Sequence, residues 1–257
     1  MSEDKIGPSE NTGKVMPDSP FYDVIEDAYR VFDYPKPTRI GVCEHCCMDL
    51  RIEKNFFHPE VRDLPLHYVQ NWYQGVSDDP LSKSIWGYLL PRLLEILASG
   101  EDLSTVALEI GLSRFSTGDS SIWTEQEWDV LDRFQRQYLA HEIHLTDSPN
   151  ELDEVLCMFG LAGWPLENLF EQLLEFENEV LASKLWRDWC SFGVGYVPST
   201  AFWEKEHKSE VLALYTARPL YDRMVAYGMD DGTSKELSDK ALEVADTIRI
   251  YAGWCET

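Results

Sequence analysis

The stretch TEQEWDVLDRFQRQYLAHEIH, residues 124–144, reads as helix from end to end. Thr124 followed by Glu127 is a capping box, in which each side chain accepts a hydrogen bond from the other residue's backbone N–H. Trp128, Leu131, Phe134 and Tyr138 then recur at spacings of three and four, which gathers them on one side of a helix. The same period returns on either side of this segment. Phe21, Val24, Ile25, Ala28, Tyr29 and Phe32 form a stripe after Ser19-Pro20, an N-cap with Pro at the first helical position. Leu66, Val69, Trp72 and Tyr73 mark a helix fading near Gly75, and Ile85 to Leu97 marks another, kinked or restarted at Pro91.

Downstream, Leu152, Val155, Leu156 and Phe159 precede Gly160 and Gly163, which loosen their helix. A further helix runs from Trp164-Pro165 to about Ser183. Others are expected around 184–192, 200–216, 219–227 and 235–254. Strand-type alternation is nearly absent, with Thr38 to Val42 as the one short extended candidate. The expectation is an all-α fold of about ten helices, an irregular helical array or a HEAT-like bundle, with no signature repeating at a fixed period. Residues 1–18 read as a polar tail and 19–257 as a single domain, with a subdivision conceivable near Pro149.

Composition narrows the function. The 257 residues hold 46 Asp plus Glu against 22 Lys plus Arg, a formal charge of −24. Such a chain repels phosphate backbones and anionic membrane surfaces, so neither direct nucleic-acid binding nor membrane attachment is expected. Aromatics at 12% can build a substantial core. Met1 to Asp18 lacks the apolar run of a secretory leader, and Ile85 to Ala98 is interrupted by Pro91, Arg92 and Glu95. Six Cys are too sparse for a disulfide scaffold, so a cytoplasmic protein with reduced thiols is expected.

Metal ligation is the most concrete chemistry within reach. Cys43 and Cys46 have the Cys-x-x-Cys spacing that lets two thiolates reach one tetrahedral zinc. A second pair is needed. His141 and His144, three residues apart, share one side of a helix and could complete a Cys₂His₂ site, with His45, Cys47, His58 and His67 as substitutes. A metal-dependent enzyme or regulator is the alternative function this implies, with zinc as its cofactor. A redox role for the same cysteines needs a β-α-β context that the chain lacks. His-Glu-Ile-His does not match the metalloprotease helix, whose histidines stand four apart. There is no phosphate loop, no nucleophile elbow and no dinucleotide fingerprint, and no catalytic residue is assigned.

The strongest non-local feature is charge patterning. From Gln137 to Ser183 there is no Lys or Arg, while ten acids fall in that window. Glu167, Glu171, Glu175 and Glu179 recur every fourth residue, so on one continuous helix they form a stripe opposite Leu166, Leu169, Phe170, Leu173 and Leu174. Glu151, Asp153 and Glu154 extend the acidic surface. Two readings stay open: a solvated face, or a docking surface for a basic protein partner. Trp186, Trp189 and Trp203 fit interface anchors or, for most of them, a helical core.

Cys43 to Cys47, Leu64-Pro65-Leu66, the run Tyr88-Leu89-Leu90-Pro91-Arg92-Leu93-Leu94-Glu95 and Trp123 to Trp128 together resemble a group of bacterial all-helical proteins with no assigned activity. The resemblance spans roughly residues 40 to 145. It implies a bacterial cytoplasmic protein and transfers no catalytic role. The leading expectation is a non-enzymatic binding protein, in its most concrete form an immunity or antitoxin-type inhibitor that occludes a basic toxin or nuclease. An acidic helical scaffold is the third expectation.

Overall fold

The helical period is realised in most of the described chain, with 99–124 as the longest described stretch without an α-helix. The computed structural model describes residues 12–42, 48–76, 82–145, 147–191, 197 and 199–254. In chain order the helices are α1 (Tyr22–Val31), α2 (Leu50–Asn55), α3 (Leu66–Gly75), α4 (Lys83–Ala98), α5 (Glu125–His144), α6 (Leu152–Leu161), α7 (Leu166–Glu175), α8 (Asn178–Trp189), α9 (Lys205–Tyr215), α10 (Arg218–Gly228) and α11 (Lys235–Tyr251). The architecture is an irregular all-α array. Among the described residues the extended candidate at 38–42 amounts to one antiparallel bridge, between Val42 and Val76.

The chain divides into two compact units, Met1–Ala107 with Trp123–Phe134, and Leu108–Ile122 with Gln135–Thr257. Within α5 the change of unit falls after Phe134.

In the first unit α4 is the centre. Every residue from Ile85 to Leu97 is buried, as expected of a helix that is apolar around its whole circumference. The helix runs on through Pro91 without restarting. Two charges are buried with it, Arg92 and Glu95, 2.7 Å apart. Arg92 spends its other donors on backbone carbonyls: Leu64 at 2.9 Å, Thr12 at 2.7 Å, and Gly13. Gly13 is itself buried at a positive φ of 64°. Residues 12 and 13, within the segment read as a polar tail, are thus held against α4.

Local signals near α4 are mostly realised. Thr124 N–H donates to the Glu127 carboxylate at 2.8 Å and Glu127 N–H to the Thr124 hydroxyl at 3.3 Å, the reciprocal capping box. The Tyr34 hydroxyl adds a bond to Glu127 at 2.5 Å. The start of α1 differs from expectation: Ser19 Oγ accepts from Phe21 N–H at 3.2 Å, and the helix begins at Tyr22 rather than at Pro20. Trp123 packs edge-on against Trp86 at 4.7 Å and Phe32 at 5.6 Å.

In the second unit α6 is buried from Leu152 to Phe159 except at Glu154, and Trp203 lies across it. Gly160 permits that crossing, since a Cβ there would sit 2.7 Å from the Trp203 ring. Gly163, at φ 92°, closes the end of α6 as the left-handed residue beyond the C-cap Ala162. α7 packs on α6 and α9, and α11 packs on α8 and α10.

Arg92 is the natural test of the first unit. Arg92→Ala leaves buried Glu95 with only the longer Lys14 contact at 3.6 Å as its cation and frees three backbone carbonyls, so stability should fall by about 3 kcal/mol. Arg92→Met with Glu95→Leu should recover part of that loss, because the pair disappears together while the carbonyl bonds stay missing. Denaturant unfolding followed by tryptophan fluorescence measures both.

The acidic face of α7 as candidate functional site

α7 is amphipathic for a simple reason. Leu166, Leu169, Phe170 and Leu173 recur at helical spacing and are buried, with Phe170 against Tyr215 at 4.9 Å between ring centres. Glu167, Glu171 and Glu175 occupy the exposed side, and among the described residues no ion pair or hydrogen bond engages their carboxylates. Like-charged pairs four apart each cost an isolated helix about 0.2–0.5 kcal/mol, so burial of the leucine face holds this helix together against its own charge.

The helix does not continue to Ser183. It stops at Glu175, Phe176 is extended with ψ 154°, and α8 starts at Asn178. Glu179 therefore lies in the first turn of α8, and the four-carboxylate stripe on one helix is corrected to three carboxylates on α7. The cause is Arg223 of α10. It donates to the carbonyls of Leu174 at 2.8 Å and Phe176, and to Asn178 Oδ1 at 2.6 Å. A cation satisfying terminal carbonyls is favoured at a helix C-terminus and removes the need for another turn.

Leu174 departs from the expected core face as well. It is 42% exposed and lines a groove of about 280 Å³ with Phe170, Leu181, Leu214 and Leu220. Glu167 and Glu171 line the same groove, and among the described residues no Lys or Arg does. Leu214 comes from the last turn of α9 and Leu220 from the first turn of α10, so sequence spacing within α7 carried no hint of the groove.

The remaining predicted contact residues do not join this surface on the same terms. Asp153 is only 2% exposed, a correction to its assignment as a docking carboxylate. Thr200 N–H donates to it at 2.6 Å, Trp203 Nε1 at 3.0 Å and the Tyr215 hydroxyl at 3.1 Å. Three neutral donors make it an internal anchor for α6, the start of α9's approach and the end of α9. Glu151 and Glu154 are half-buried at the start of α6, where the Glu154 carboxylate accepts from Glu151 N–H at 2.8 Å. Close by, the Lys184 ammonium donates to Asn150 O at 2.9 Å and Asp188 accepts from Leu152 N–H at 2.9 Å.

Of the expected metal ligands, Cys43 and Cys46 lie outside the described residues, as do His45 and Cys47. His141 is half-buried and His144 exposed in the last turn of α5, with His144 Nδ1 2.6 Å from Ala140 O. Among the described residues no group of three or more His, Cys, Asp or Glu is placed to hold a metal ion. Of the three tryptophans, Trp189 and Trp203 are core residues, while half-buried Trp186 donates to Glu243 at 2.5 Å.

No family model, curated protein or solved structure matches the chain. Among the described residues no helix is long and apolar enough to cross a membrane.

Burial pushes the Asp153, Glu151 and Glu154 carboxyls above the usual range, with neighbouring acids adding to it. A carboxyl raised in the fold binds protons that the unfolded chain releases. The contribution of these three groups should therefore rise as pH falls from neutrality through their folded values and level off once the unfolded carboxyls titrate. Asp27 and Glu127, whose carboxyls are held low, contribute in the opposite direction. Asp153→Asn should flatten the rise of the thermal midpoint measured over that range. An unchanged slope would remove Asp153 from this account.

Proposed function

We propose that this chain is a non-enzymatic binding protein that holds a basic protein partner through the acidic face of α7. The supporting observation is the exposure of Glu167, Glu171 and Glu175 on successive turns, with no side chain of the described protein neutralising them. In the most concrete version the partner is a toxin of nuclease type. A cleft that binds polyanions is basic, and an acidic face seated over it blocks substrate while substituting for phosphate charge.

The physics sets the form of the interaction. Exposed carboxylates contribute modest affinity at physiological salt but raise the rate of encounter and fix orientation. Association should therefore slow steeply with added salt, while dissociation changes little.

The test is charge reversal with a matched control. Glu167→Lys, Glu171→Lys and Glu175→Lys together should abolish capture of a cationic partner from the native host and remove the salt dependence of association. The same change of charge at Glu206, Asp231 and Asp239, exposed elsewhere on the second unit, should leave capture intact. Equal loss from both sets would mean that net charge alone is responsible. Capture that survives the α7 reversal would overturn the reading.

A further inference from the structure

The groove beside the α7 carboxylates narrows the chemistry of the partner, and this step rests on the basic-partner reading above. Its volume, about 280 Å³, falls just below the roughly 300–1,000 Å³ typical of small-molecule and cofactor sites. It suits one or two anchoring side chains instead. The wall is aliphatic and aromatic, from Phe170, Leu174, Leu181, Leu214 and Leu220, and Leu174 is open to solvent at 42% exposure. Among the described residues the only charged side chains lining it are Glu167 and Glu171, one helical turn apart with Cβ atoms about 6 Å from each other.

That combination discriminates among occupants. A second copy of the chain would bring its own charge of −24 to a face that is already acidic. An acidic or neutral peptide would leave Glu167 and Glu171 uncompensated as the groove closed. The other large cavity on this unit contrasts with it, because Lys184, Arg187 and Lys240 line that one together with Glu179. From the apolar wall and the two carboxylates we infer that the groove receives a cationic amphipathic helix of the partner. An aliphatic side chain of that helix fills the space between α7 and the α9–α10 connection. Lys or Arg four residues apart on the same helix pair with Glu167 and Glu171. The mode is helix-in-groove recognition, with a buried anchor supplying affinity and flanking charges setting register.

Two synthetic helical peptides separate the apolar contribution from the charge. Both carry Lys at four-residue spacing; one has Leu at the anchor positions and its twin has Ser. Titration into the full-length protein, followed by leucine methyl NMR and calorimetry, should show the Leu peptide binding about tenfold tighter or more, the factor expected from burying one aliphatic side chain. Shifts should concentrate on Leu174, Leu181, Leu214 and Leu220. Leu174→Ser and, as a second variant, Ala217→Phe, at a position that also lines the groove, should each erase the difference between the peptides, with folding checked by circular dichroism. Glu167→Gln with Glu171→Gln should weaken both peptides alike.

Equal binding of the two peptides, or shifts located elsewhere, would overturn the groove assignment and leave the acidic-face reading standing. Absence of binding by either peptide would also overturn it, while host capture with the α7 charge-reversal set decides the basic-partner reading separately.

Discussion

Carboxylates outnumber cations by more than two to one in this chain, 46 against 22, and the interior is arranged around that shortage. Every acid taken out of water needs donors, since an unpaired buried charge is costly. Neutral aromatic and hydroxyl groups supply many of them. Tyr29 donates to Glu95 at 2.7 Å, Tyr34 to Glu127 at 2.5 Å and Ser148 to Glu142 at 2.6 Å. Trp203 and Tyr215 share Asp153, and Thr200 also serves Glu109. Hydrogen bonds to charged acceptors are worth about 1.5–3 kcal/mol, so Tyr29 and Tyr34 add to the cations at Glu95 and Glu127, while at Asp153 neutral donors carry the bonding. The aromatic content of so acidic a protein thus has a purpose beyond filling volume.

Three of the arginines also serve backbone carbonyls, Arg92 and Arg187 while still paired with Glu95 and Asp188. Arg92 gathers the carbonyls of Thr12, Gly13 and Leu64, and Arg187 those of Leu145, Ser148 and Asn150. Arg223 takes those of Leu174 and Phe176. Each guanidinium fastens irregular backbone that no helix could satisfy. Of these, Arg223 lies at the end of α7, where its donors go to backbone carbonyls and not to the exposed glutamates.

Much of this was legible in the sequence where the causes are local. Thr124 and Glu127 announced their capping box, and the leucines of α7 announced which side would be buried. Local reasoning failed wherever a distant residue decided the outcome. Asp153 looks like any other acid of the window until Trp203 and Tyr215, about 50 and 60 residues on, close over it. Glu179 continues the every-fourth-residue pattern on paper, but Arg223 ends the helix before the pattern reaches it. Leu174 has the spacing of a core residue and still lines an open groove.

The sequence by itself determined the helical class, the position of most helices and the concentration of acids in a window free of Lys and Arg. These follow from periodicity, capping and net charge, which act over one or two turns or need no structure at all. Tertiary structure alone decided which acids remain outside and which are internal. It also decided where the acidic helix stops and that a groove opens beside it. Those outcomes depend on side chains brought together across tens of residues, and burial and hydrogen bonding are properties of that meeting rather than of any one segment.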